Sequence, residues 1–248
     1  MNPQETHLQS LLEQLRTRLL VMCARVEEVV AKACAALDGQ GIYLAHAVIE
    51  ADSEIDRLEN EVDEMALSLL ACSQPVARDL RFVVSTLRMV VDLERVGDEA
   101  AHIAERTILL QDSPRPPAFD LMRQMMELAR NSLHDAIIAF REENVPLALH
   151  VCHCKKDILQ MEVCLLQDVM SHFAGNDDAK NDAGWPVLHV ILIARSLSRI
   201  FGRASNIAEH CYFMKQGVSI KHKKAEGADR LLGSTGLAVP PDRPVSAD

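Results

Sequence analysis

The sequence predicts an all-α protein made of two tandem three-helix bundles, and three observations predict it. Apolar residues make up 48% of the chain while aromatic ones make up only 4% and glycine ten residues, so the core is aliphatic and little interrupts long helices. Val48, Ala51, Ile55, Leu58, Val62, Met65 and Leu69 follow one another at spacings of three and four, the seam of a packed helix. The chain also repeats itself. Shifted by 104 residues, Leu93–Glu105 falls on Leu197–Glu209 with six of thirteen positions identical. Shifted by 101, Val48, Leu58, Val62, Met65 and Leu69 fall on Leu149, Leu159, Val163, Leu166 and Met170, all apolar.

The first helix is expected from about residue 6 to Leu37, where Asp38-Gly39-Gln40-Gly41 stops it. A second runs from Ile42 to Ala71 and is closed by Ser73-Gln74-Pro75. Pro75 then opens a third in its first turn, which runs to about Leu110. Gln111 to Pro117 holds three prolines in four residues, which no helix survives, and this is the best boundary in the chain. Beyond it the pattern begins again with helices at about 119–142, 145–174 and 186–215, the last two joined by a polar loop from Gly175 to Gly184. This divides the chain into a first bundle (1–111), a Pro-rich linker (112–118), a second bundle (119–217) and a disordered tail (218–248) rich in Gly, Pro, Ser and Asp.

Bulk properties narrow the function. A net charge of −10 argues against nucleic-acid binding, which needs clustered Lys and Arg against phosphates. No run of eighteen apolar residues offers a membrane span, and the polar, acidic start Met1-Asn2-Pro3-Gln4-Glu5 is no signal peptide. Seven cysteines, an odd number without an export signal, are expected as reduced thiols in the cytoplasm. No Gly-rich phosphate loop, nucleophile motif or Glu-x-x-His pair is present, so catalysis is not expected.

The third helix carries the chemistry. Leu80, Val84, Leu87 and Val91 read as its buried stripe, and the next two positions of that rhythm are Glu94 and Asp98. Two carboxylates one turn apart at the edge of a core repel each other and resist desolvation. On the second helix Asp52, Asp56, Glu59 and Asp63 form an acidic stripe beside the apolar seam. A lone Glu-x-x-x-Asp pair is ordinarily a solvated surface pair. If the two helices pack antiparallel, however, Asp52 and Asp56 face Glu94 and Asp98, and four oxygen donors converging between helices suit a metal ion or small cluster. Carboxylate ligands admit iron, zinc, magnesium, manganese or calcium.

Asp79-Leu80-Arg81, Asp92-Leu93-Glu94-Arg95-Val96-Gly97-Asp98 and Ile103-Ala104 resemble the signature of the PhoU family of phosphate-uptake regulators. The likeness extends over roughly residues 8 to 224, including Val48 to Asp56 and the closing Gly217-Val218-Ser219-Ile220-Lys221-His222. It implies two three-helix bundles, each able in the family to carry a metal cluster, iron or zinc foremost, on paired (Glu/Asp)-x-x-x-Asp motifs. It also implies a cytoplasmic negative regulator of the phosphate-starvation response, linking the phosphate transporter's ATPase subunit to a sensor histidine kinase. Membrane association would then come only through those partners. A homodimer or higher oligomer is expected, because flat bundles expose long apolar edges.

The first half carries the pattern whole. His102, where the family usually has Asn, lies two turns beyond Glu94 and is a further candidate ligand. The second half departs from it: Glu94 maps to Ser198, Gly97 to Phe201 and Asp98 to Gly202, while Asp52 maps to His153 and Asp56 to Asp157. His153, Asp157 and Cys164 share a face and form a softer candidate zinc set, against small polar residues that merely fill space. Arg195, Arg199 and Arg203 line up one turn apart on the last helix, as a candidate anion or partner site or a solvated row. The degraded second motif keeps two alternatives open: a PhoU-like paralogue that regulates another transporter or a metabolic or persistence state, and a metal-binding carboxylate protein with a storage or redox role.

Overall fold

The computed structural model describes residues 3–113, 118–174 and 184–220. Seven helices occupy them: α1 (Pro3–Leu37), α2 (Ile42–Ser73), α3 (Ala77–Leu109), α4 (Phe119–Glu142), α5 (Val145–His153), α6 (Lys155–Ala174) and α7 (Gly184–Gln216). Among the described residues there is no strand, and no helix is long and apolar enough to cross a membrane. The prolines of the expected linker, most of the loop after residue 174 and the tail from residue 221 lie outside the described residues.

α1, α2 and α3 form one antiparallel bundle, and α4, α5–α6 and α7 form the other. The bundles meet chiefly through α3 against α7, with α1 touching α4, and a single aliphatic core runs through both. Local chemistry sets the ends. Gly39 and Gly41 take positive φ in the α1–α2 turn, and a Cβ on Gly41 would strike the Tyr43 ring at 2.5 Å. Asn144 caps α5 by accepting from the Leu147 N–H at 3.1 Å, with Pro146 in the first turn. Glu143 ties three elements together, accepting from Arg78 at the start of α3 and from Lys215 at the end of α7, at 2.5 and 2.7 Å.

Four readings of the sequence change. Pro75 sits ahead of α3, which begins only at Ala77. The expected helix over 145–174 breaks at Cys154. There His153 Nδ1 lies 2.7 Å from the Leu149 carbonyl and the Cys154 thiol donates to the His150 carbonyl at 3.5 Å, so side chains compete for backbone acceptors. The α3 stripe of Leu80, Val84, Leu87 and Val91 is an edge row, with Leu80 40% exposed; the buried seam is Met89, Leu93, Val96, Ala100 and Ile103.

The fourth change is a register. Leu159, Val163 and Met170 are all more than half exposed, whereas Ile158, Leu165 and Val169 are buried. Those three correspond to Ile55, Val62 and Ala66, all buried in α2, at a shift of 103 rather than 101 residues. In the folded repeat Asp52, Asp56 and Glu59 therefore correspond to Lys155, Leu159 and Glu162.

Candidate functional site

α2 and α3 face each other along an acidic cleft. Gly97, which lacks a side chain, lets Ile55 press onto α3: a Cβ there would lie 2.9 Å from Ile55 Cδ1. On either side of this contact the carboxylates sense one another in antiparallel order. Asp52 feels Asp56, Asp98 and Glu105, with His102 beside it, and Glu94 feels Asp98, Glu59 and Asp56. The structure thus brings Asp52, Asp56, Glu94 and Asp98 to one cleft and adds Glu59. The sequence showed Glu59 in the acidic stripe but gave it no place in the site.

Burial, followed by the charges of Asp98, Glu59 and Asp56, lifts the Glu94 carboxyl to about 7. Burial first and neighbouring acids second likewise raise Asp52 and Glu59. The other side of α2 is different. There Glu54 pairs with Arg25 at 2.8 Å, and Glu61 pairs with Arg18 and Arg57. Among the described residues no ion pair reaches Asp52, Asp56, Glu59, Glu94 or Asp98, and only exposed Arg95 lowers the Glu94 and Glu59 carboxyls. The cleft is a concentration of negative charge that Arg95 and His102 relieve only in part.

These donors match a hard or borderline cation in kind, being carboxylate oxygens on two facing helices. They are not drawn together: among the described residues no three His, Cys, Asp or Glu side chains are gathered closely enough to hold an ion. His102 is exposed at the Asp52 end of the cleft, its Nδ1 3.7 Å from Glu99 Oε2.

The charge makes a testable pH effect. A carboxyl raised in the folded state destabilises the fold once ionised, so stability is lost as pH climbs from the usual Glu value through about 7. Metal-free Glu94→Gln is expected to flatten that slope. It should be more stable than the parent at pH 8 by about 1 kcal/mol, after discounting for solvent screening of a half-exposed group, and equal to it at pH 4. Urea melts at the two pH values measure this.

The second-half candidates do not assemble. His153, Asp157 and Cys164 are all exposed, and the two-residue change of register turns them away from the position equivalent to the cleft. The arginines are also not a free row. Arg199 Nη1 donates to Glu99 at 3.0 Å and Arg203 Nη1 to Asp92 at 3.4 Å, both across to α3; Arg195 and Arg199 are exposed, and Arg203 is partly buried.

Asp92 is the residue that sequence reasoning missed. Its residue is 6% exposed, and it accepts from Asn206 at 3.0 Å and Arg203, with His210 Nε2 3.0 Å from its second oxygen. Although burial opposes it, the hydrogen bonds from His210 and Asn206 and the nearby positive charge hold its carboxyl below the usual range. The signal was present: Met89, Asp92, Val96, Glu99 and Ile103 alternate at three and four, a core seam with two acids in it facing α7.

With that geometry in view, the comparisons are consistent. The PhoU domain model matches residues 19–107 and 122–211, one copy in each half. The phosphate-specific transport system accessory protein PhoU homolog of Pseudomonas putida is 35% identical, over 92% of this chain and 88% of that protein. The crystal structure of PhoU from Pseudomonas aeruginosa superposes with a TM-score of 0.80 at 33% identity, covering 85% of this chain and 99% of that one. The phosphate transport system regulatory protein PhoU from Streptococcus pneumoniae shares the fold, with a TM-score of 0.77 at 24% identity. Two matched repeats on a shared helical fold, with similarity running nearly end to end, place this chain in the PhoU family.

Proposed function

We propose that the chain is a negative regulator of the phosphate-starvation response, a cytoplasmic adaptor between a phosphate transporter's ATPase subunit and a sensor histidine kinase. Its relatives are named as accessory proteins of phosphate-specific transport, which supports the transport side of this reading. The observation that carries the chemical side is the acidic cleft between α2 and α3, whose carboxylates make no ion pair among the described residues. Asp52, Asp56, Glu94 and Asp98 would hold one or more ions there, iron or zinc foremost and magnesium or manganese otherwise, with Glu59 and His102 flanking them. A bound cation supplies positive charge that clamps two mutually repelling helices. The chain's own residues set the rest: Gly97 holds the helices close, and long helical faces remain for partners. The row Leu159, Val163 and Met170 on α6 supports self-association as a homodimer.

Elemental analysis of untagged protein tests the metal, with Asp98→Ala expected to lose it. Restoring an ion at about one hundred times its Kd should stabilise the stripped protein by about 2.7 kcal/mol, or roughly 5–10 °C in Tm. Absence of metal in both proteins, with no shift on addition, would remove the clamp. The regulatory reading is tested separately. Deletion should leave phosphate-starvation genes on in phosphate-rich medium, and a pulldown should return a transporter ATPase or a sensor kinase.

A further inference from the structure

The equivalent of the acidic cleft in the second bundle has reversed its charge. In the folded register Asp52 is replaced by Lys155, Glu94 by Ser198, Asp98 by Gly202 and Glu99 by Arg203. What stands there is a groove of about 510 Å³ between α6 and α7, lined by Lys155, Arg195, Ser198, Arg199, Gly202 and Arg203. Four cations line it beside one carboxylate, Glu162, the counterpart of Glu59; Arg199 and Arg203 also pair with Glu99 and Asp92 on α3, while Lys155 and Arg195 make no ion pair among the described residues.

We propose that this groove binds a small phosphate-bearing anion, either inorganic phosphate or the phosphate end of a small phosphorylated molecule. Arg and Lys grouped in a concave site are the side chains that recognise tetrahedral oxyanions, Arg through paired donors and Lys as a point charge. Two of the arginines are already positioned. Arg199 and Arg203 each direct Nη1 to an acid on α3, which fixes the stems, while the same residues line the groove. Ser198 lines the groove where Glu94 stands in the first half, so a neutral hydroxyl residue replaces a carboxylate at that place. A Cβ at Gly202 would meet nothing within 4 Å, which leaves open space where Asp98 stands in the first half. The site is separate from the acidic cleft and does not depend on the regulatory reading.

Titration calorimetry on the full chain tests it, with inorganic phosphate in one arm and ATP in the other at matched ionic strength in chloride. The expected result is saturable binding of at least one of them. Equal affinities per phosphate point to the free ion, and a tenfold preference for ATP points to a phosphorylated molecule. Lys155→Ala with Arg195→Ala should weaken binding at least tenfold while the thermal melt is unchanged, because neither side chain makes an ion pair within the described residues. Gly202→Asp, which adds a carboxylate into open space, should abolish it. No binding of either anion, binding unchanged in both variants, or binding of a poly-glutamate peptide in their place would overturn the proposal.

Discussion

Asp92→Ala is expected to lower the stability of the whole chain by about 3 kcal/mol, because it strands partners that a buried carboxylate now satisfies. Asn206, Arg203 and His210 all converge on Asp92 from α7, and this contact joins the two bundles. Removing the acid leaves the half-buried Asn206 and His210 side chains with fewer acceptors, and Arg203 escapes to water at lower cost because it is a third exposed. The Tm should fall by roughly 6–12 °C for a chain of this size. Asp92→Asn keeps the volume and one acceptor and is expected to fall about half as far. The pH dependence has a definite sign. A carboxyl held below its usual value contributes stability that is complete above that value and disappears as pH drops through the folded one. The parent should therefore lose ground to Asp92→Asn in acid below about pH 4, and acid melts of the two proteins check it. Equal melting of Asp92→Ala and the parent would mean that apolar packing alone joins the bundles.

The repeat in α3 and α7 was legible because its buried positions obey one shift: Met89, Leu93, Val96 and Ala100 correspond to Ile193, Leu197, Ile200 and Ala204, all buried. The acidic cleft was legible for a related reason, since Asp52, Asp56, Glu94 and Asp98 interrupt or border apolar rhythms and therefore stand out. The second helix of the repeat was not. Leu149, Leu159, Val163, Leu166 and Met170 are as apolar as the buried set, and leucines on both faces of a helix make two registers equally good by pattern. Tertiary packing chose the one that buries Ile158 and Leu165. That two-residue slip carried the search for second-half ligands to His153 and Asp157 and hid Lys155. The arginine row was legible as a spacing but its pairing was not: Asp92 and Glu99, the partners of Arg203 and Arg199, lie about a hundred residues away, and no local spacing announces them.

Gly97→Val is expected to be the most disruptive change at the acidic cleft, costing about 3 kcal/mol through overpacking. The added Cβ would stand 2.9 Å from Ile55 Cδ1 and 3.3 Å from Cγ2, and Ile55 is 2% exposed in a core with nowhere to send a branched side chain. Gly97→Ala meets the same atoms but regains about 1 kcal/mol of helix propensity, so its net cost should be near 1 kcal/mol. The origin is checked by shortening the opposing residue. Ile55→Val alone costs about 1 kcal/mol as a small cavity, yet in the Gly97→Ala background it removes the closest atom and should be neutral or better. Phe201 occupies the equivalent place in α7, fully buried, so the fold accepts bulk there when its own neighbours are shaped for it. In the first bundle, forcing α2 from α3 also separates Asp52 and Asp56 from Glu94 and Asp98. Gly97→Val should then lose affinity for any ion held in the cleft, measured by titration of stripped protein, while Gly97→Ala with Ile55→Val keeps it. If the double variant is as unstable as Gly97→Val, the close approach at Ile55 is not what Gly97 is there to permit.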